Sequence, residues 1–331
     1  MTTKSNHRRI RRLVVIALLL ALLGGVMYNQ LIASDPGNPR ANFWRVVRDG
    51  VPAYTSTPAQ GHTILILNSG ENWREIRNGL IARISPWVIL LALMGVAAFY
   101  LIVGQDKLEK PRSGVKIERY TFGERFLHWY TALFFIVMAI TGLCLLLGRI
   151  VLIPIFGHWL FSGYLQAAKV LHNYCGPLLL VGILLEFIIW VRYNIPRKID
   201  LQWFKNMGGM IGSGPRPHVG KVNAGEKGWF WLVFLFGIAV GVTGILLDFP
   251  IWEQTRFTMQ VSHVIHATVA VLFVTVSFGH IYMGTLGVEG VFEAMWKGSV
   301  DAVWAKQYHD LWYEDILHKQ ERKEKTDSSP L

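Results

Sequence analysis

The chain has 331 residues and a formal net charge of +11; 52% of its residues are hydrophobic and only 17% are charged, so much of it does not meet water. This composition excludes a disordered chain, which would be polar and highly charged, and two cysteines are too few for a disulfide scaffold or a paired-cysteine zinc site. The positive charges stand in short runs between apolar segments, which is typical of membrane loops and argues against nucleic-acid binding.

Six apolar stretches are long enough to cross a bilayer, which requires about 20 residues of helix. They are, in chain order, Leu13–Ala33, Ile84–Val103, Phe126–Leu147, Val170–Tyr193, Trp229–Phe249 and Val261–Val288. No alternating strand pattern competes with them, and in lipid only helices or closed barrels satisfy the backbone. We therefore predict an all-α membrane protein, in which a four-helix transmembrane bundle follows two additional N-terminal transmembrane helices.

These stretches divide the chain into six predicted segments. They are an N-terminal transmembrane helix or signal anchor at 1–33, a periplasmic segment at 34–83, a second transmembrane helix at 84–103, a basic cytoplasmic loop at 104–125, the four-helix core at 126–288 and a cytoplasmic C-terminal tail at 289–331. The first segment also fits a cleaved export signal, because a basic start precedes its apolar run. The run is long for a signal and lacks a small-x-small cleavage site, so we favour a retained helix.

Lysine and arginine are concentrated in alternate connections, which sets the orientation of the helices. Five or six of them occur in each of the stretches 1–12, 104–125, 194–228 and 289–331. Residues 34–83 also hold six arginines, but long segments translocate largely regardless of charge. We therefore predict a multi-pass protein of the bacterial inner (cytoplasmic) membrane with both termini in the cytoplasm.

Four histidines lie inside the last four predicted helices: His128, His172, His266 and His280. An ionisable residue within a spanning helix is costly and indicates a functional role. His266 and His280 are fourteen residues apart, a rise of about 21 Å that ends about 40° short of whole turns, so they share one face near opposite membrane surfaces. The orientation then pairs His128 with His280 on the cytoplasmic side and His172 with His266 on the periplasmic side.

Two histidines that face each other from different helices at one depth are able to hold a haem iron from both sides. We therefore predict two haem groups, one for each histidine pair. The chain has no Cys-x-x-Cys-His sequence, so the haems are expected to be non-covalent haem b. The alternative is that each histidine only forms hydrogen bonds between helices, but two pairs matched in depth favour haem. His263, one turn before His266, is a second candidate for the periplasmic ligand.

Several motifs of the chain resemble one family, the γ subunit of respiratory formate dehydrogenase, which is a membrane cytochrome b. The likeness covers roughly residues 119–316. The matching segments are Glu124-Arg-Phe-Leu-His128-Trp, Val170-Leu-His172-Asn, Tyr193-Asn-Ile-Pro196, Lys221-Val-Asn223-Ala-Gly225-Glu-Lys227, His266, His280-Ile-Tyr-Met, Lys297-Gly-Ser, Trp304-Ala-Lys and Trp312-Tyr.

The resemblance implies a four-helix transmembrane cytochrome b bundle that works in electron transport during anaerobic respiration. It implies an iron–sulfur β subunit as electron donor, itself supplied by a molybdenum or tungsten α subunit that oxidises formate. Menaquinone or ubiquinone is the implied acceptor, in a pocket at Asn223 and Gly225 beside His280. By this resemblance the chain reduces quinone but does not itself oxidise formate.

Two other interpretations remain. The cytochrome b subunit of a membrane nickel–iron hydrogenase or of a thiosulfate reductase shares the two-haem plan, although the loop Asn223-Ala-Gly-Glu-Lys227 favours the formate type. A transporter or a structural membrane anchor would keep the helices but need no haem, and a b-type spectrum would exclude it. Glu186, an acid well inside a predicted helix, is either part of a proton route to quinone or locally hydrogen-bonded, and we favour the local bond.

Overall fold

The computed structural model describes residues 68–210 and 216–327. The predicted helix Leu13–Ala33 and most of the predicted segment 34–83 lie outside the described residues. Within them the α-helices are α1 (Asn68–Arg74), α2 (Ala82–Ile102), α3 (Phe122–Leu147), α4 (Ile153–Trp190), α5 (Lys198–Lys205), α6 (Ala224–Asp248), α7 (Arg256–Tyr282), α8 (Val291–Lys297), α9 (Ala302–Tyr308) and α10 (Asp310–Asp327). Two short strands, β1 (Lys116–Glu118) and β2 (Ser299–Asp301), complete the regular structure of this part.

Tighter or wider helical turns connect several of these helices. The wider, π-helical stretches are Glu75–Ile81 between α1 and α2, Gly148–Leu152 after α3 and Met283–Gly287 after α7, and 3-10 turns occupy Val191–Tyr193 and Met207–Gly209. Helix α4 is interrupted at Gly157, whose φ of 74° lies in the left-handed region that only glycine adopts without cost. The chain therefore reverses direction between α3 and the long straight part of α4.

Five helical stretches are long and apolar enough to cross a membrane: Gly70–Ile102, Phe122–Trp159, Phe161–Tyr193, Ala224–Asp248 and Arg256–Gly287. They overlap the five predicted spans that follow the first, so the predicted all-α membrane fold is confirmed. The first of them begins well before the predicted start at Ile84. A prediction from hydropathy alone begins the span after Arg74, Arg77 and Arg83, because these residues are charged. The helical stretch nevertheless includes them, and Arg74 forms an ion pair with Glu71 one turn earlier.

The four-helix bundle is formed by α3, α4, α6 and α7. Helix α3 packs most extensively on α4, and α6 packs on both α7 and α4. At the centre Leu179, Ile183 and Phe273 are buried. Gly237 of α6 allows the close approach, because a Cβ there would lie 2.5 Å from Cδ1 of Ile183. Helix α2 lies outside the four and packs along α7.

A small polar layer covers one end of the bundle. Strand β1 pairs antiparallel with β2, with Ile117 opposite Val300, and helices α8 to α10 pack around the sheet. The buried residues of this layer are Ala294, Val300, Trp304, Ala305 and Trp312. We call this end, where α3 and α6 begin and α7 finishes, the sheet end. The opposite end, where α7 begins, is called the far end.

Reciprocal caps fix the starts of α3 and α6 at the sheet end. Thr121 accepts from the backbone N–H of Glu124, and Asn223 accepts from that of Glu226 at 2.8 Å, while each glutamate bonds back to its capping residue. Arg119, whose side chain is 1% exposed, then donates to Glu226 at 2.9 Å. These bonds hold the N-terminal turns of two bundle helices in a fixed relation, and those turns precede His128 and Trp229.

Candidate metal centres

The first histidine pair lies at the sheet end. His128 is in the second turn of α3 and His280 is near the end of α7, and their ring centres are 6.2 Å apart. The His280 ring stacks on Trp229 of α6, at 4.5 Å between centres and 10° between planes. Nδ1 of His128 is buried without a hydrogen-bond partner. Aromatic packing therefore orients His280, and the polar edge of His128 is left free.

The second pair lies toward the far end. His172 on α4 and His266 on α7 have ring centres 6.0 Å apart. The structure thus brings together the same two pairs that the sequence predicts from depth, at opposite ends of one bundle. Helix α7 contributes one histidine to each pair.

Two threonines determine which ring nitrogen of the second pair is free. The hydroxyl of Thr141 lies 2.9 Å from Nδ1 of His172, and that of Thr243 lies 3.1 Å from Nδ1 of His266. Each hydroxyl has one hydrogen, and it donates that hydrogen to a backbone carbonyl one turn earlier, of Val137 at 2.7 Å and of Ala239 at 2.6 Å. Each hydroxyl must therefore accept from an Nδ1–H. The Nε2 lone pair of both rings is left available for a metal.

A glycine follows each of these threonines and lets the imidazole approach the helix. A Cβ at Gly142 would lie 3.0 Å from Cε1 of His172, and one at Gly244 would lie 3.2 Å from Cε1 of His266. Both distances are tighter than ordinary packing allows. The Thr-Gly dipeptide of α3 therefore holds His172, and the Thr-Gly dipeptide of α6 holds His266. We call each of these dipeptides a seat.

The geometry of both pairs fits a metal held by two imidazoles. Two imidazoles bound at about 2.0 Å, with about 1 Å from nitrogen to ring centre, have ring centres about 6 Å apart. Within residues 68–210 and 216–327, no group of three or more His, Cys, Asp and Glu side chains is placed to hold a metal ion. Two imidazoles per centre would suit a six-coordinate haem iron, because the porphyrin fills the other four positions.

His263, the alternative candidate, faces a different neighbour. Its ring stacks on Trp73 of α1 with 5.5 Å between centres, and its Nε2 accepts a hydrogen bond of 3.2 Å from Nε of Arg77. The lone pair that a metal would need is thus used by Arg77. Glu186 lies beside Thr131 of α3, whose hydroxyl donates to the carbonyl of Leu127 at 3.0 Å.

The residues predicted to bind quinone are only partly brought together. Asn223 caps α6 through Oδ1, and its Nδ2 forms no hydrogen bond within the described part of the chain. Gly225 packs on Trp203, since a Cβ there would lie 2.8 Å from Cη2 of that ring. His280 lies deeper, against Trp229.

A cavity of about 100 Å³ lies beside Asn223 at the sheet end. Its lining includes Lys221, Lys227 and His218, and Asn223 itself, but neither Gly225 nor His280. The hydrogen bond to Asp310 raises the pKa of His218 above its ordinary value. Arg197 and Asp200 also line the cavity, and although Asp200 pairs with Lys227 at 2.8 Å, basic side chains outnumber acidic ones in the lining.

The sequence analysis missed Thr141, Thr243 and Trp229. A signal for the threonines was present, because a Thr-Gly dipeptide occurs within two of the predicted spans. Nothing in the sequence separates Trp229 from the other tryptophans near helix ends, which are typical of a membrane interface.

Comparison with known proteins gives a consistent result. The family model of the prokaryotic cytochrome b561 matches residues 119–298. The cytochrome b556(fdo) subunit of formate dehydrogenase from Escherichia coli is 31% identical over 215 residues, which are 62% of this chain and 96% of the relative.

Two further relatives have similar names. The cytochrome b556(Fdn) subunit of the nitrate-inducible formate dehydrogenase of Escherichia coli is 30% identical over 215 residues, covering 63% of this chain and 95% of the relative. The formate dehydrogenase cytochrome b556 subunit of Haemophilus influenzae is 28% identical over 217 residues, 62% of this chain and 86% of the relative. The resemblance drawn from the motifs is thereby confirmed.

Proposed function

The chain belongs to the prokaryotic cytochrome b561 family, and we propose that it is the membrane cytochrome b subunit of a respiratory formate dehydrogenase. In this role it carries electrons from an iron–sulfur β subunit, supplied by a molybdenum or tungsten α subunit, to menaquinone or ubiquinone. The names of the relatives support the proposal, since each is the cytochrome b556 subunit of a formate dehydrogenase.

The cofactors of this function are two haems b. His128 and His280 hold one, and His172 and His266 hold the other. The observation that supports this most is that both pairs have ring centres about 6 Å apart, 6.2 and 6.0 Å, at opposite ends of one bundle. When bound, the haems supply one-electron transfer, and two axial histidines on each iron leave no position for oxygen activation.

The surrounding residues set the orientation of these ligands. Thr141 and Thr243 hold Nδ1–H of the far-end histidines and so direct Nε2 toward the iron. Trp229 holds the plane of His280 at the sheet end. The apolar side chains of the bundle exclude water from the space between the two centres. Phe273, for example, is only 3% exposed.

The sheet end faces the cytoplasm of a bacterial cell in this proposal, and the far end faces the periplasm. The lysine and arginine distribution supports it, because segments 104–125 and 289–327 are rich in these residues and both belong to the sheet end. The part of segment 34–83 that precedes the helical stretch Gly70–Ile102 is then periplasmic, and 1–33 adds a further transmembrane helix or signal anchor.

Quinone binds near the sheet-end pair, close to the start of α6. The free Nδ2 of Asn223 is a donor suited to a quinone carbonyl, and Gly225 keeps the first turn of α6 close to Trp203. Lys221 and Lys227 line the adjoining cavity, and a basic cavity favours proton delivery to a reduced quinone from the cytoplasmic side.

The test uses the complex purified from membranes. The unaltered complex should be red, with a reduced-minus-oxidised b-type spectrum and two haems per chain. His128→Ala and His280→Ala should each remove one haem and abolish quinone reduction, while formate still reduces the remaining haem. His318→Ala, which alters an exposed histidine of α10, is the control and should change neither property.

A colourless complex would overturn the cytochrome proposal. If formate reduced neither haem but hydrogen did, or if thiosulfate reoxidised the reduced haems, the assignment to formate dehydrogenase would be wrong. If His128→Ala removed two haems and His318→Ala none, the assignment of separate pairs would fail.

A further inference from the structure

Helices α1 and α2 lie outside residues 119–298, which match the family. They nevertheless lie beside α7, the helix that carries His266 of the far-end pair. Trp73 stacks on His263, and Nε of Arg77 donates to the same ring at 3.2 Å. His263 is one turn from the candidate ligand His266. This additional helical segment therefore places two hydrogen-bond donors at the edge of the far-end centre.

A cavity of about 460 Å³ adjoins this contact. Three arginines line it, Arg77 and Arg83 from the additional segment and Arg149 from the turn after α3. Its other lining includes Cys144 and Leu145, which follow the seat of His172 at Thr141 and Gly142 by less than one turn of α3. The cavity is thus an arginine-lined space at the rim of the far-end histidine pair.

The arginines of this cavity differ from those at the sheet end in their partners. At the sheet end Arg119 pairs with Glu226 at 2.9 Å and Arg216 with Asp106 at 2.7 Å. Within the described residues, Arg77, Arg83 and Arg149 form no ion pair with a carboxylate. Arg77 donates only to His263 and to the side chain of Asn78, so Nη2 is free.

A donor that is removed from water without a partner is costly and calls for an acceptor, and of the three arginines Arg77 is the one that is partly buried. Nε1 of Trp73 adds to this demand, because it is buried without a hydrogen-bond partner. Three positive charges around one cavity fit a ligand with more than one anionic oxygen. Arginine binds carboxylates and phosphates through paired N–H groups, so both chemistries suit the site.

We propose that Arg77, Arg83 and Arg149 bind the propionate carboxylates of the haem held by His172 and His266. The inference rests on the proposed function, and it gives the additional segment a role that the matched family region does not contain. The segment supplies two of the three arginines, and Trp73 holds His263 so that its ring orients Arg77.

The experiment is a redox titration of the purified complex carrying Arg77→Gln or Arg149→Gln. Arg149 is exposed, so its replacement is not expected to disturb folding. His266→Ala, which lacks the far haem, assigns the two signals. Each arginine variant should lower the midpoint potential of the far haem, since a nearby positive charge stabilises the reduced form, and should leave the sheet-end haem unchanged. Arg77→Lys should restore most of the shift.

Arg256→Gln is the matched control, because Arg256 is an exposed arginine at the same end that does not line the cavity. If the cavity variants titrate like this control, the proposal is overturned. Phosphorus is measured in the same samples. A loss of bound phospholipid with unchanged potentials would assign the cavity to a lipid phosphate and would equally overturn it. An unaltered complex without a far haem would refute the proposed function itself, which is a distinct result.

Discussion

The two histidine pairs have nearly equal ring separations but very different surroundings. At the far end each imidazole is bonded through Nδ1 to a threonine whose hydroxyl is itself fixed to the backbone. At the sheet end His280 is held by stacking on Trp229, and Nδ1 of His128 has no partner. Spacing therefore determines that both pairs can hold an iron, while the neighbours determine how strongly each ligand donates electrons.

The threonine bonds at the far end are expected to change the reduction potential of a haem held there. An imidazole whose Nδ1–H is bonded to a good acceptor is a more basic ligand, which favours the oxidised iron and lowers its potential. In the proposed function the threonine bonds are thus expected to lower the potential of the far-end haem, whereas the positive charges of the cavity arginines are expected to raise it.

The largest expected effect comes from removing a far-end ligand. His266→Ala should reduce the haem content from two per chain to one and leave the sheet-end haem spectrum unchanged, because α7 provides a separate histidine to each pair. Haem extracted per chain measures this result. His263→Ala is the matched variant, one turn away and already bonded to Arg77, and it should retain both haems. The reverse result, with loss of haem only in His263→Ala, would show that the ligand is wrongly assigned.

A smaller effect is expected from removing the hydroxyls that bond the far-end ligands. Thr141→Val and Thr243→Val keep the shape of the side chain but leave Nδ1–H without an acceptor, at a cost of about 1 to 3 kcal/mol. The far haem should become easier to lose during purification, and its midpoint potential should rise, while the sheet-end potential stays constant. Ser at either position should restore the original value.

Thr275→Val is the control for these variants, because Thr275 of α7 donates to the carbonyl of Val271 and bonds no histidine. Equal potentials in Thr141→Val, Thr243→Val and Thr275→Val would show that the threonines do not tune the centre.

The smallest effect is expected at the glycine seats. Gly142→Ala and Gly244→Ala place a methyl group 3.0 and 3.2 Å from the Cε1 atoms of His172 and His266, so each ring must move by a few tenths of an ångström. The far haem spectrum should shift, with both haems still bound. Gly163→Ala, where a Cβ meets nothing within 4 Å, should leave the spectrum unchanged. A spectral shift confined to the sheet-end haem would show that Gly142 and Gly244 do not position the far-end histidines.

The helical fold and the depth of the histidines were predictable from sequence, since both follow from apolar length and from 3.6 residues per turn. His266 and His280, fourteen residues apart on one helix, belong to this class of inference. The contact of Arg77 with His263 was not predictable, because it joins residues 186 positions apart across two helices.

Two other features of the structure were also not predicted from the sequence. The role of Thr141 depends on a hydroxyl that bonds both its own helix and a ring on another one, and hydropathy treats that residue as neutral. The extension of the helical stretch before Ile84 was missed because arginines end an apolar window without ending a helix.

The register of the small sheet has a consequence for biosynthesis. Glu118 pairs with Ser299, so one strand precedes the four bundle helices and the other follows them. The ribosome must therefore deliver all four helices to the membrane before the two strands are able to meet, and the pairing closes a long loop late in assembly. Until then the polar layer cannot cover its end of the bundle, which leaves that end open to arriving cofactor until β2 has been synthesised.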